Sequence, residues 1–286
     1  MAWRAYKIVL RLRAPLHIGR GKIGNLQRTR PYVVGRNLWG ALTARLARSG
    51  HPDGRPKAKT YADVGERVHE ELAFTYLFAT TQRDGAIETW PWDQAFRYRF
   101  LSTYASTALD YAVTSAEEAS LHEVECILPY TRDEGKPVYL SGYLFQREES
   151  DLDWHGALDR MQIGGERGYG WGDVRKEVIS KLQSGSVSLF DENHIAHLNG
   201  SRVKVELAAD QRLLVHALAA DFNKDHRAIS VGMQGSVEPL VGRETTPESR
   251  FGVQLSAARI CYAPGAGIRE PGEAVIGAYG VWEGVT

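Results

Sequence analysis

A glycine-rich stretch, Ile163 to Val174, holds the residue types best suited to binding an anion. Between Gly164 and Gly172, five of nine residues are glycine, a density that indicates a need for positive φ or for backbone without Cβ atoms. Bare N–H groups suit a phosphate, and the interleaved arginine and aromatic side chains suit sugar and base. The candidate contact residues in this loop are Gly164, Gly165, Glu166, Arg167, Gly168, Tyr169 and Gly170.

Two common nucleotide motifs are excluded for this loop. No Gly-Lys-Ser/Thr follows the glycines, as a P-loop requires. A dinucleotide fingerprint starting at Gly168 would need a third glycine where Asp173 stands. The alternative is a structural Gly-rich hairpin over packed aromatics, in which Trp171 fits the core better than a stacking position.

A second set of candidate residues lies near the N-terminus, around the segment APLHIGRGKIG and the following NLQRTRPYVVGRN. Its arginines and lysine are predicted phosphate contacts, and the asparagine either adds a donor at the start of a helix or caps that helix. The candidates are His17, Arg20, Lys22, Arg28, Arg30, Arg36 and Asn37.

The charge distribution favours a polyanion partner for this part of the chain. Residues 1–60 hold fourteen Lys and Arg against one acid, Asp53, although the whole chain has 35 of each sign. Such asymmetry is typical of a protein with one surface facing a polyanion and another facing different partners. The alternative is a basic face balanced in three dimensions by the acidic remainder.

The sequence gives less evidence for a catalytic site or a metal site than for an anion-binding site. His17 or His51 would serve as a general base only with a second acid–base group and a positioned 2′-hydroxyl. His194 and His197 have a metal-like spacing with Asp191 and Glu192 nearby, but no third ligand is evident. We therefore predict no catalytic residue, no metal and no cofactor.

The elements that position these residues follow from hydrophobic periodicity. Alternation predicts a strand over Trp3–Leu12, and leucines 38, 42 and 46 predict a helix from Gly35. A second helix is predicted over 61–80, irregular or hairpin structure over 84–100, and an antiparallel pair from HEVECIL and KPVYLSGYLFQ. A short helix precedes the glycine loop, and a strand, DVRKEVI, follows it.

Length and composition place the chain among globular proteins. Its 286 residues are 43% hydrophobic, and the pattern of strands with a few helices predicts an α+β fold. We divide it into a domain at 1–180 that carries both sets of candidate nucleic-acid contacts, a linker at 181–200 and a smaller β-rich domain at 201–286. Two distant cysteines, the lack of a signal peptide and the lack of a long apolar run predict a cytoplasmic protein that does not enter a membrane.

Four pieces stand in an order that resembles the RAMP superfamily, the RNA-binding subunits of CRISPR effector complexes. They are LHIGRG, VVGRNLWGALTARL, the pair LHEVECILPY and VYLSGYLF, and IGGERGYGWGDV. The resemblance covers about residues 5–178, and the glycine loop is its most specific part. It implies a ferredoxin-like (RRM-like) antiparallel sheet with helices on one face, and a guide RNA (crRNA) held by the loop and the N-terminal basic elements. A second ferredoxin-like fold is one interpretation of the C-terminal domain.

The resemblance also separates three roles. Target-cleaving backbone members carry an aspartate where residues 20–34 of this chain have no acid. Guide-processing members commonly have the glycine loop near the C-terminus, whereas here over 100 residues follow it. The third kind caps the 5′ handle of the guide in a type III effector and contacts a large signalling subunit and backbone subunits, and it fits best. A metal-independent endoribonuclease and a backbone subunit that polymerises along the guide remain the alternatives.

Overall fold

The computed structural model describes residues 2–51, 53–110, 112, 114–116, 120–183, 185–190, 194–221, 227–244 and 252–285. The α-helices within these residues are α1 (Gly35–Ser49), α2 (Ala58–Glu71), α3 (Gln94–Phe100) and α4 (Trp154–Ala157). The N-terminal strands are β1 (Trp3–Leu12), β2 (Gly19–Ile23), β3 (Leu26–Thr29), β4 (Tyr32–Val33), β5 (Leu72–Phe74), β6 (Leu77–Thr80), β7 (Leu101–Ser106), β8 (Leu109–Asp110), β9 (Ser115–Ala116), β10 (His122–Ile127), β11 (Tyr139–Arg147), β12 (Met161–Gln162) and β13 (Asp173–Lys181).

The C-terminal strands are β14 (Ser186–Ser188), β15 (Ile195–His197), β16 (Lys204–Leu207), β17 (Ala217–Asp221), β18 (Met233–Gln234), β19 (Val237–Leu240), β20 (Arg243–Glu244), β21 (Gln254–Leu255), β22 (Arg259–Tyr262), β23 (Gly267–Ile268), β24 (Gly272–Ile276) and β25 (Trp282–Gly284). Together these elements form a mixed α+β molecule, as the sequence pattern predicts.

The first sheet, in the order β12-β13-β1-β11-β6-β4 with β5 also on β11, is antiparallel throughout. One face carries Ile8, Leu10 and Leu144, which pack against Leu42 of α1 and Trp154 of α4 in a buried core. Burying one such side chain contributes about 1.5–3 kcal/mol, so this face fixes the helices on the sheet.

The other face of the first sheet is buried as well. Trp3, Tyr143 and Phe145 share a second core with Val205 and Trp282 of the C-terminal half. Eight of the C-terminal strands form a second sheet in the order β14-β15-β16-β24-β25-β17-β22-β19, which covers this face. The two halves therefore share a core.

This arrangement corrects the predicted linker at 181–200. Strands β14 and β15 lie in that interval and pair with each other and with β16, so the interval begins the second sheet. The interval also contains Val187 and Ala196, both of which are buried. Short polar connections between edge strands have the same composition as a linker.

A third, four-stranded sheet has the order β2-β3-β10-β7, with β3 and β10 parallel. It corrects the predicted pairing of HEVECIL with KPVYLSGYLFQ, because β10 joins β3 and β7 whereas β11 lies between β1 and the pair β5 and β6. The apolar run of β11 is buried on both faces and requires the centre of a sheet.

Two further predictions near the middle of the chain were wrong. The helix predicted at 61–80 ends at Glu71, because the following LAFTYLFAT has no outward charged face and forms β5 and β6 in the buried sheet. The segment predicted as irregular or hairpin ends in helix α3, whose Phe96 and Phe100 are buried. None of the helices in the described part of the chain is long and apolar enough to cross a membrane.

Candidate nucleic-acid interface

The glycine loop is joined by its backbone to the Pro15–His17 turn that follows β1. Gly165 N–H donates to His17 O (2.9 Å), and Gly172 N–H donates to Pro15 O (2.7 Å). Gly164 has φ +84°, and a Cβ there would overlap the carbonyl oxygen of His17. A side chain at Gly164 would therefore separate the two segments, so packing requires this glycine.

The outer part of the loop is open to solvent. A 3₁₀ turn at Arg167–Tyr169 follows Glu166, which has φ 54°, and the Tyr169 side chain is 80% exposed. Among the described residues, no acceptor is bonded to the N–H groups of Gly164, Glu166, Arg167 or Gly168. Anion contact by the loop backbone is thus confined to these four groups, because the N–H groups of Gly165 and of residues 169–172 are bonded inside the protein. This corrects the expectation for Gly165.

Trp171 is buried, as predicted, and packs with Val124 and Cys126 on one face of the four-stranded sheet. Tyr104, opposite Val124 on β7, lies edge-on to Trp171 at 5.8 Å between ring centroids and is 59% exposed. Tyr104 was not among the residues predicted from the sequence. It shares one face of the strand LSTYAS with Ser102 and Ser106, and this alternation could have indicated an exposed tyrosine.

A groove of about 920 Å³ runs between the loop, helices α1 and α2, and the β19–β22 region. It brings together part of both predicted sets, which come from opposite ends of the first 170 residues. Its walls include Gly19, Arg30, Arg36, Asn37, Gln162, Gly164 and Arg167. Helix α1 begins at Gly35 without a side-chain cap or an acid in its first turn, so its N-terminal dipole is uncompensated on this side. Asn37 lies inside the first turn and does not cap the helix.

Arg30 is not a surface cation, which corrects its prediction as a phosphate contact. Its side chain is 9% exposed and forms an ion pair with Glu238 of β19. A second neighbour of Glu238 is His216, whose Nε2 lies 2.6 Å from the carboxylate, while His216 Nδ1 lies 2.7 Å from the Tyr76 hydroxyl. Because a carboxylate only accepts, His216 donates from Nε2 and accepts from Tyr76 through Nδ1.

The electrostatics of this network favour a fixed ion pair. Burial alone would raise the pKa of Glu238, but the hydrogen bond from His216 and the ion pair with Arg30 lower it to about 2. Burial lowers the pKa of His216, which Glu238 only partly offsets, so the imidazole stays neutral. Burial lowers the pKa of Arg30, but Tyr32 and Glu238 raise it by more.

Carboxylates also pair with three of the other predicted cations. Arg20 lies 3.5 Å from Glu238, Arg28 lies 3.8 Å from the buried Glu125, and Arg36 lies 3.0 Å from Glu244. The excess of basic residues in the first 60 positions is thus partly neutralised by glutamates of the acidic remainder. Lys22 lies on the exposed strand β2 and, like Arg167, has no ion-pair partner within the described residues.

Glu125 is a third glutamate that contacts a predicted cation at this site. Its side chain accepts from Thr29 N–H (3.0 Å) and from Arg97 (2.6 Å), and it is 7% exposed. It ties β3, α3 and β10 together beside the His17 turn. The arginine partners of the three glutamates are between 28 and 218 positions away in the sequence, so no local pattern indicates these pairs.

The two candidate catalytic histidines lie in different settings. His17 is 6% exposed, and its Nδ1–H donates to the backbone carbonyl of Glu125 at 2.8 Å. His51 is paired with Asp53 at 2.6 Å on the surface. His17 therefore positions the turn that receives the glycine loop.

The structure describes both histidines of the group with metal-like spacing, His194 and His197. Asp191 and Glu192 lie outside the described residues, whereas His194 bonds to Arg212 O at 3.0 Å and His197 pairs with Glu206. Within the described residues, no three His, Cys, Asp or Glu side chains converge as a metal site.

No family model matches this chain, and no curated protein matches it. Among solved structures, it is similar to a chain of a type III-B Cmr-beta complex bound to cognate target RNA and AMPPnP, with 12% identity, a TM-score of 0.49, and coverage of 92% of this chain and 85% of that chain. A second, from the same kind of complex bound to cognate target RNA, has 12% identity and a TM-score of 0.47, with coverage of 92% of this chain and 86% of that chain. A third, from the apo state, has 11% identity and a TM-score of 0.38, with coverage of 63% of this chain and 97% of that chain. Similarity at this level leaves the function to be argued from the groove.

Proposed function

We propose that this protein is a non-catalytic RNA-binding subunit of a type III CRISPR ribonucleoprotein, holding the 5′ handle region of the guide RNA in the groove. The observation that carries the proposal is the backbone contact of Gly165 and Gly172 with the Pro15–His17 turn. This contact joins two of the four sequence motifs on which the resemblance to RAMP proteins rests, LHIGRG and IGGERGYGWGDV. It places the open side of the loop beside the start of α1.

The strand order supports the ferredoxin-like assignment that the resemblance implies. Four strands of the first sheet are neighbours in the order β13-β1-β11-β6. In the sequence, α1 and α2 lie between β1 and β6, and α4 lies between β11 and β13. This is the connectivity of a βαββαβ unit. Its helices cover one face, as expected, whereas the second sheet covers the face that an isolated unit would expose.

The groups available for phosphate contact form a smaller set than the sequence predicted. Lys22 and Arg167 have no ion-pair partner in the described part of the chain, and Arg20 is 46% exposed beside a single carboxylate oxygen. Asn37 and the open N–H groups of Arg167 and Gly168 add neutral donors, while Tyr169 and Tyr104 offer exposed rings for stacking. RNA binding would then be electrostatic and geometric.

The test is RNA affinity as a function of salt. We expect a labelled single-stranded RNA to bind with an affinity that falls as salt rises, with a slope of about −0.7 per phosphate neutralised. The double variant Lys22→Gln, Arg167→Gln should reduce that slope by about 1.4. Lys204→Gln, an exposed lysine on β16 of the second sheet, is the matched control and should leave the slope unchanged.

If the salt slope falls as much per charge removed in the control as in the double variant, binding follows overall charge. No binding by the wild-type protein at low salt would reject the function.

The non-catalytic part of the proposal has its own test. Precursor RNA incubated with the protein in EDTA should remain intact, because His17 is buried and bonded to Glu125 O. Cleavage that disappears in His17→Ala would show the endoribonuclease instead.

The proposed partners are the guide RNA, a large signalling subunit and backbone subunits. Co-purification from the source cell should recover a crRNA together with these proteins. Native mass spectrometry of the recovered complex separates the remaining alternative, since a handle-capping subunit is present once and a polymerising backbone subunit several times.

A further inference from the structure

Two glutamates of the C-terminal half reach across to the N-terminal arginines, and they are held in different ways. Glu238 contacts Arg30, Arg20 and His216, and its side chain is 15% exposed. Glu244, on the β20–β21 ribbon, contacts Arg36 at 3.0 Å and is 39% exposed. Glu238 is therefore fixed, whereas within the described residues Glu244 is held by one partly solvated ion pair.

Arg36 is held in place independently of Glu244. Its guanidinium lies 4.3 Å from the centroid of the Tyr279 ring, and its side chain packs on the backbone of Gly242, where a Cβ would overlap it. A cation over an aromatic face contributes about 0.5–1 kcal/mol at an exposed site. Arg36 would thus keep its position in the groove wall if the carboxylate moved away.

A phosphate fits the place that the Glu244 carboxylate occupies. The guanidinium fork binds carboxylate and phosphate oxygens with the same geometry. Partly exposed ion pairs contribute about 0–1 kcal/mol, so a phosphate already positioned by the rest of a bound strand can replace the carboxylate.

We infer that Glu244 is a built-in competitor for RNA phosphate at Arg36, an inference that rests on the proposed function. In the free protein the Glu244 carboxylate pairs with the Arg36 guanidinium. When an RNA strand lies in the groove, a backbone phosphate displaces the carboxylate from the guanidinium. An isolated anion has no other contacts in the groove to offset this displacement. Glu244 therefore sets the affinity of the groove and favours a strand over a free phosphate.

The experiment is a double-mutant cycle on the full chain with a single-stranded RNA. Glu244→Gln should increase RNA affinity about three- to ten-fold, because the phosphate no longer displaces a charged partner. In an Arg36→Gln background the same substitution should have little effect. Glu66→Gln is the matched control: this exposed glutamate of α2 lines the same groove and has no ion-pair partner among the described residues, so it measures the general effect of removing one negative charge.

The outcomes are distinguishable. An unchanged or reduced affinity in Glu244→Gln, or a gain equal to that of Glu66→Gln, overturns the inference while RNA binding by the wild type stands. A gain that persists without Arg36 also overturns it. If the wild type binds no RNA, the proposed function fails and the inference with it. Glu244→Ser, which lacks the amide of glutamine, should show the same direction and guards against a local effect of that side chain.

Discussion

Gly164 and Gly168 belong to the same loop but have different surroundings. A Cβ on Gly164 would overlap His17 O at a positive φ, whereas a Cβ on Gly168 has no heavy atom within 4 Å. We expect Gly164→Ala to lower the free energy of unfolding by roughly 2 kcal/mol or more, because strain and overlap add. Gly168→Ala should stay within about 0.5 kcal/mol. Urea unfolding followed by tryptophan fluorescence measures both, and equal losses would contradict a specific contact at Gly164.

Arg30 and Arg20 share Glu238 but differ in burial. Arg30→Met leaves Glu238 with its principal charge partner removed, and we expect a loss of about 3 kcal/mol in unfolding free energy. Arg20→Met removes an ion pair with a longer N–O distance, 3.5 Å, whose Arg20 side chain is 46% exposed. This substitution should change the free energy of unfolding by less than about 0.5 kcal/mol. If Arg30→Met were as stable as wild type and only its RNA affinity fell, Arg30 would be a phosphate contact after all.

Among the elements, helices α1 and α2 meet at a cluster of rings. His69 stacks on Trp39 at 4.9 Å, and Tyr279 lies edge-on to His69 at 4.4 Å. Burial, together with the positive charges of Arg36 and Arg259, lowers the pKa of His69 to about 4. The unfolded chain therefore takes up a proton on this histidine at a higher pH than the folded chain does.

The sign of the pH dependence follows from that difference. A lowered folded pKa gives a contribution that is complete above the unfolded value of 6.5 and is lost as pH falls towards 4. Between pH 7 and pH 5 we expect His69 to remove about 2 kcal/mol of unfolding free energy. In His69→Gln the decline over this range should be smaller by a similar amount, whatever the absolute stability. An unchanged decline in the variant would show that other groups cause it.

The elements also show where sequence reasoning succeeds and where it stops. Strand β1 and the start of α1 at Gly35 follow from local periodicity, which is a property of a few neighbouring residues. The partner strands of β10 do not follow from local periodicity, because β11 already pairs with β1, β5 and β6 and is not free to pair with β10. At the site, the glycine loop and the basic segment were predicted. The glutamates that neutralise part of that segment were not, since nothing in the sequence near Glu238 or Glu244 indicates an arginine two hundred positions away.

At the scale of the whole molecule, the two sheets share a core that contains Phe145 of the first and Trp282 of the second. We expect one cooperative unfolding transition, because opening either sheet exposes the apolar face of the other. Hydrogen exchange of β11 and of β24 should then report the same opening free energy. A lower value for β24 would show that the second sheet opens separately.

The shared core also constrains how this protein can change over evolutionary time. Trp3, Tyr143 and Phe145 are buried against side chains of the C-terminal half. Recombination that imported a foreign C-terminal half would leave these side chains facing a mismatched surface. We therefore expect the segment that carries the glutamates beside the groove to vary in step with the arginines it contacts.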